Sequence, residues 1–440
     1  MSKKQSIIRG TVILTVTGLI TRAMGFFYRI FLSRTFGEEG VGLYQLIFPI
    51  YTLCYSLTTA GVETAVSRTT ARKIALGKKE EALQVLGTGL LLTVTLSFMC
   101  LMILQKNAAF IAEFFLNEPR CRPLLIALSW SLPFSAVHSC ICGYCYGIQQ
   151  AEIPAATQLV EQIARISSVI LLYFVIIKDG GNVSVALAVW GLAAGEIASA
   201  THAIYSLYRT APAVPQKKIR ISEIRNTLTE LLSLSMPLTG NRVLINILQS
   251  VEAVNIPVKL EAHRMASSDA LSMYGVLNGM ALPCILFPSA VTGSVALMLL
   301  PAVADIQASG SRKQLMEIIK KTTAACFIMG MACCLGFLMT GMWIGETIFN
   351  STLAGKFIVT LAWICPFLYT NTTFTSTING LGKTGSTFFI NASGLLVRIA
   401  GVFFAIPRYG IDGYLRGLLV SQLLVSILSL TVIYRSVCKN

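Results

Sequence analysis

Twelve apolar runs, each of about 20 residues or more, follow one another along this chain with short polar intervals. They lie near 10–34, 41–67, 84–105, 123–147, 156–177, 185–207, 233–257, 271–299, 322–345, 357–379, 387–406 and 412–434. In helical form such a run covers the ~30 Å hydrocarbon core of a bilayer. Lipid offers no partner to backbone N–H and C=O groups, so only helices and closed barrels can cross it. The expectation is an all-α membrane protein. With 12% charged and 54% hydrophobic residues, a 440-residue chain also has too little charge to coat a soluble fold. The opening MSKKQ leads into a run too long for a signal-peptide core, so no cleaved leader is expected.

The formal net charge of +15 could suggest a nucleic-acid partner, but the basic residues sit in the intervals, where orientation signals belong. With the N-terminus placed in the cytoplasm, twenty basic residues fall on inner flanks and nine on outer flanks. That asymmetry places both termini inside and argues against nucleic acid. The longest inner interval carries two prolines and a basic amphipathic stretch, and it falls at the middle of the chain. It reads as a cytoplasmic linker with a surface helix at 209–230, separating an N-terminal six-helix lobe (1–208) from a C-terminal one (231–440).

The two halves repeat. ALSWSLPF at 127–134 matches TLAWICPF at 360–367, pairing Trp130 with Trp363 and Pro133 with Pro366 at an offset of 233. The same offset pairs Gly147 with Gly380, Arg165 with Arg398 and Gly77 with Gly310. Six spans per half is an even number, so both halves enter from one side. A pseudo-twofold along the membrane normal, with a cavity between the lobes, is the arrangement expected.

Charges inside the spans carry the functional signal. Arg22, Arg165, Arg242 and Arg398 lie near the middle of their runs, where a charge costs about 2.5–3.5 kcal/mol on insertion scales. Arg29 lies seven residues after Arg22 on the same helix face. Arginines in such number imply a water-filled cavity, and their excess over acids implies an anionic ligand. These five are the candidate substrate-binding residues. Glu63, Glu196 and Glu252 are candidates for ion coupling, to H+ or Na+. Glu161 stands four residues before Arg165, a helical spacing at which the two can satisfy each other.

Catalysis finds no support. His138, His202 and His263 are scattered, and the CICGYC run at 140–145 lies in an apolar helix without a partner cluster, so its cysteines read as small packing residues and no metal is expected. NGLGKTG at 379–385 has the wrong spacing for a phosphate loop and follows a membrane span rather than a strand. No ATP motif and no cofactor motif is visible, and an enzyme is not expected.

TGLITRAMGFFYRIFLSRTFGEEGVGLYQ at 17–45, TAGVETAVSR at 59–68 and GIQQAEIPAATQLVEQIAR at 147–165 carry a resemblance over essentially the whole chain. It is to the polysaccharide-transporter branch of the multidrug/oligosaccharidyl-lipid/polysaccharide flippase superfamily, in the stage V sporulation protein B subgroup related to the lipid II flippases. The resemblance implies a MATE-like fold, with two six-helix lobes forming a V, in the bacterial cytoplasmic membrane. It implies alternating access that moves an undecaprenyl-diphosphate-linked glycan, a cell-wall, spore-cortex or polysaccharide precursor, with membrane lipids around its tail. Arg22, after Thr21, matches the first-helix arginine of that family, and Arg242 corresponds to its seventh-helix arginine. Gly25-Phe26 is followed by Phe27-Tyr28-Arg29 where lipid II flippases carry an Arg-Asp pair, and their two extra C-terminal helices have no counterpart. The alternatives are a cation-coupled multidrug antiporter of the same fold and a non-transporting scaffold for spore or cell-wall assembly.

The charge asymmetry has a direct test. In a cysteine-free background, Ser184→Cys and Ser436→Cys are expected to label from opposite sides of the membrane, with Ser436→Cys cytoplasmic. Labelling from the same side rejects the topology.

Overall fold

The computed structural model describes residues 3–178, 183–210, 221–309 and 311–438. Nearly all of these residues are helical, and no strand occurs among them. Twelve helical stretches are long and apolar enough to cross a membrane. They resolve into α1 (Lys3–Leu46), α2 (48–75), α3 (Lys79–Lys106), α4 (Cys121–Gly147), α5 (Glu152–Lys178) and α6 (Ala186–Thr210). The second half supplies α7 (Ile221–Ala262), α8 (267–308), α9 (Arg312–Ile348), α10 (Thr352–Gly380), α11 (Thr384–Tyr409) and α12 (Ile411–Cys438).

Two boundaries differ from a reading by hydropathy alone. Residues 12–75 form one helical stretch long enough for two crossings, interrupted at Gly37, whose φ of 69° and ψ of −174° leave the helical region. Glycine reaches that conformation without steric penalty. Conversely, α8 divides at Phe287-Pro288 into two pieces that are each long enough to cross. Both residues keep right-handed helical dihedrals, so the chain bends at Pro288 without reversing. Residues 221–230 form the start of α7, and 211–220 lie outside the described residues.

The chain divides into two compact units. Unit 1 comprises residues 1–28 and 46–250, and unit 2 comprises 29–45 and 251–440. The end of α1 therefore belongs with the second half, and most of α7 with the first. Unit 1 is cored by Val62 and Val66 of α2, Val85 and Leu86 of α3, Cys140, Ile141 and Cys145 of α4, Ala203 of α6 and Leu231 of α7. Two cysteines of the CICGYC run thus pack as small apolar residues, as expected. Unit 2 is cored by Leu299 and Val303 of α8, Leu315 and Ile319 of α9, Phe374 and Ile378 of α10, Ile390 of α11 and Val425 of α12.

The repeat extends to backbone detail. Residues 111–115 and 344–348 are both wide π turns, and they are offset by 233. Each is closed by the same pair of bonds: Leu116 N–H to Ile111 O (2.8 Å) and Glu118 N–H to Ala112 O (2.8 Å), against Phe349 N–H to Ile344 O (3.3 Å) and Ser351 N–H to Gly345 O (2.9 Å). Asn117 and Asn350 follow them with φ of 55° and 56°, in the left-handed region that asparagine tolerates. Further on, Gln149 (φ 63°) corresponds to Gly382 (φ 75°) at the same turn.

Gly147 and Gly380 mark matching close approaches. A Cβ on Gly147 would stand 2.8 Å from the Ser67 carbonyl oxygen of α2, and one on Gly380 would stand 2.7 Å from the Leu300 carbonyl oxygen of α8. Small residues of this kind let membrane helices approach closely enough for dispersion to hold them. Gly380→Ala is expected to destabilise the protein by about 1–3 kcal/mol through overpacking. Gly385→Ala, where no atom lies within 4 Å of the new methyl, should be neutral or mildly stabilising. Thermal unfolding in detergent separates the two, and equal stability for both variants rejects the close-packing argument.

Candidate functional site

The membrane-embedded arginines fall into three environments. Arg22, on α1 in unit 1, is exposed, and it makes no hydrogen bond or ion pair among the described residues. The neighbouring Thr21 is buried and turns its hydroxyl back to the Gly18 carbonyl at 3.2 Å.

Arg242 and Arg29 form the second group, and each binds the backbone of a π turn. Arg242, exposed on α7, donates from Nη1 to the carbonyl of Ala60 at 3.0 Å and from Nη2 to the hydroxyl of Thr64 at 3.4 Å. Ala60 ends the π turn Ser56–Ala60 of α2, within unit 1. Arg29, half-buried on the part of α1 that belongs to unit 2, donates from Nη1 to the carbonyl of Asn278 at 3.2 Å. Asn278 lies in the π turn Val276–Ala281 of α8. A π turn takes carbonyls out of the regular i→i−4 ladder, and each unit lends one to a guanidinium. By partner, Arg29 rather than Arg22 is the counterpart of Arg242. Asn246, one turn after Arg242, donates to the Thr52 carbonyl at 3.2 Å and further fixes α7 to α2.

Arg165 and Arg398, matched in the repeat, are both paired with acids. Arg165 bonds Glu161 on its own helix α5, as the spacing anticipated. Arg398 of α11 donates from Nε to Glu252 Oε1 on α7 at 2.7 Å, and Tyr414 of α12 donates to the same oxygen at 2.7 Å. Glu252 is 3% exposed, so this triad is a buried ion pair with a third donor. The residue matching Glu161 at the repeat offset is Gly394, and Ser421 and Val425 fill the space beside it. Unit 2 therefore takes its acid from a different helix.

Unit 1 gathers a cluster that the sequence leaves scattered. His138 of α4, Glu161 of α5 and Glu196 of α6 bring their ligand atoms within 4.8 Å of one another. Glu196, 3% exposed, accepts from the Tyr51 hydroxyl at 2.8 Å and faces His138 Nδ1 at 3.0 Å. Ser199 holds the same nitrogen at 3.1 Å. Glu63, half-buried on α2, accepts from the Tyr55 hydroxyl at 3.3 Å. The three residues of the cluster come from three helices and are 23 or more positions apart in the chain, so no local spacing announces them.

Comparison with known proteins places this architecture. A profile described as "Polysaccharide biosynthesis protein" matches residues 7–307. Stage V sporulation protein B of Bacillus subtilis is 27% identical over 435 residues, covering 97% of this chain and 83% of that protein. The lipid II flippase MurJ of the same organism is 30% identical over 193 residues, 42% of this chain and 35% of that one. Among solved structures, lipid II flippase MurJ in an inward closed conformation aligns with a TM-score of 0.75 at 14% identity, covering 96% of this chain and 87% of that one. An inward-facing multidrug resistance MATE family transporter aligns with a TM-score of 0.70 at 13% identity, covering 95% and 94%. The two structures establish a MATE-like fold, and the profile match, over more than half of the chain, makes this multi-pass membrane protein a member of the polysaccharide biosynthesis protein family.

Proposed function

We propose that this protein is a flippase that moves a polyprenyl-diphosphate-linked glycan across the cytoplasmic membrane by alternating access. The observation that carries the reading is the sorting of the arginines. Arg165 and Arg398 are bonded directly to Glu161 and Glu252, whereas Arg22 and Arg242 are exposed and neither forms an ion pair among the described residues. Two cations placed in membrane helices without a direct ion pair are costly unless an anion comes to them. A diphosphate supplies that anion, and guanidinium forks match phosphate oxygens two at a time. Arg242 is held in place by the Ala60 carbonyl and the Thr64 hydroxyl, which occupy two of the five N–H donors of a guanidinium and leave the others for the ligand. The polyprenyl tail stays in lipid while the polar head crosses. In this reading Arg29, held on Asn278, supports α1 from within unit 2. Similarity to stage V sporulation protein B and to a lipid II flippase is in keeping with a lipid-linked substrate.

The test uses purified protein in liposomes, offered several polyprenyl-diphosphate glycans and scored for headgroup accessibility. Arg22→Ala and Arg242→Ala should each lower transport about ten- to a hundredfold, the loss of about 1.5–3 kcal/mol of charge-assisted hydrogen bonding. The Lys variants keep the charge without the fork and should fall in the middle of that range. Normal transport by both Ala variants rejects the anionic-ligand reading. Transport of an organic cation, with no lipid diphosphate moved, would make the protein an antiporter. Absence of any transport by well-folded wild-type protein would favour a scaffold.

A further inference from the structure

Unit 1 contains an unbroken line of polar side chains that joins the buried His138–Glu196 pair to Glu63. His138 Nε2 lies 3.4 Å from the Ser139 hydroxyl. Ser139 Oγ lies 3.1 Å from the Tyr55 hydroxyl, and Tyr55 donates to Glu63 Oε2 at 3.3 Å. At the other end His138 Nδ1 faces Glu196 Oε2 at 3.0 Å. That carboxylate oxygen is shielded from solvent and makes no well-aligned hydrogen bond. None of these contacts is needed to hold a helix together, because each helix satisfies its own backbone.

We infer that this line is a proton path, with His138–Glu196 as the buried proton-binding site and Glu63 as the group that exchanges the proton beside Arg242.

The charges decide what the buried site can hold. Arg165 offsets Glu161. Glu196 then faces a neutral imidazole with one uncompensated negative charge in a span, which is expensive in low dielectric. One proton on the imidazole cancels it, whereas a divalent ion would leave an excess positive charge. The remaining groups acting on His138 are Glu161 and Glu63. Those acting on Glu63 include His138 and Arg242, and Glu63 in turn acts on Cys142 and Tyr146 of α4. No other charged residue joins the line among the described residues.

Transfer balances without water or an electron carrier. The imidazolium gives its Nε2 proton to Ser139 Oγ, the Ser139 hydroxyl proton passes to Tyr55 Oη, and the Tyr55 proton passes to Glu63. The imidazole ends neutral, the carboxylate ends as a carboxylic acid, and both hydroxyls end as they began with their orientation reversed. The links at 3.3 and 3.4 Å exceed usual hydrogen-bond lengths, so transfer waits for a closing of a few tenths of an ångström.

Arg242 gives the path its consequence. Its anchors, Ala60 and Thr64, flank Glu63 on α2. With Glu63 ionised, the guanidinium has a nearby competing negative charge. With Glu63 protonated, its charge is free for an anion. Proton arrival thus favours ligand binding, a coupling that rests on the anion-binding role proposed for Arg242.

The first test needs no substrate. Full-length protein in lipid nanodiscs is jumped from mildly alkaline to mildly acidic pH, and the imidazolium infrared band lost in His138→Gln is followed in time. Tyr55→Phe, which removes one hydroxyl, should slow that band by at least about tenfold while preserving its final amplitude. Ser139→Ala should do the same, and serves if Tyr55→Phe unfolds. Wild-type kinetics in both variants, or no band assignable to His138, overturns the path. A change of that band on adding Na+ at constant pH would assign the site to a metal ion and also overturn it. The second test measures geranylgeranyl diphosphate binding. Acidification should tighten it more in wild type than in Glu63→Gln, and an identical pH response in the two overturns the coupling to Arg242. Absence of diphosphate binding with the infrared kinetics intact would instead sink the ligand reading alone.

Discussion

Lipid supplies no hydrogen bonds and almost no screening, and the organisation of this protein follows from that. Every backbone group in the spans must find its partner within a helix, which fixes the all-α fold before any tertiary contact is considered. Every departure from the α-ladder then leaves a polar group looking for a partner. The π turns at Ser56–Ala60 and Val276–Ala281 are such departures, and each has a carbonyl taken by a guanidinium, Arg242 and Arg29 respectively. The same scarcity governs side chains. Glu252 with Arg398 and Tyr414, and Glu196 with His138 and Tyr51, are local solutions to the problem of placing charge where water is absent.

The two units solve that problem differently, which is informative because their backbones repeat so closely. The π turns at 111–115 and 344–348 and the left-handed Asn117 and Asn350 show that the offset of 233 is a property of the fold as well as of the letters. Yet the matched arginines differ in their counter-ions. Arg165 is neutralised within its own helix, while Arg398 reaches α7 because glycine stands where its local acid would be. The acid of unit 2 is thereby locked by two donors, and among the described residues only unit 1 retains a carboxylate facing a titratable imidazole.

Much of this was legible in the sequence, for definite reasons. Span count, repeat and the Glu161–Arg165 pair all depend on periodicity or on helical spacing, which neighbouring residues determine. The bend at Pro288 counted as one span because proline tilts a membrane helix without reversing it. What escaped were pairings across helices. Glu252 and Arg398 are 146 residues apart in the chain, and the residues around His138 come from α2, α5 and α6. The π turns escaped too, since an extra residue in a helical turn leaves hydropathy unchanged. That Arg242 and Arg29 each bind a π-turn carbonyl of their own unit became visible only through those turns.

The membership of the two units also bears on how the chain could have arisen and how it can be divided. Leu231 of α7 is fully buried among residues of α2, α3, α4 and α6, and 29–45 belongs with the second half. Neither half as cut at the central interval would carry all the side chains that fill its own interior. A duplicated ancestor with that layout would have had to lend a helix segment to its twin, so it would be an obligate pair before fusion, and the fused chain inherits halves that are not self-sufficient.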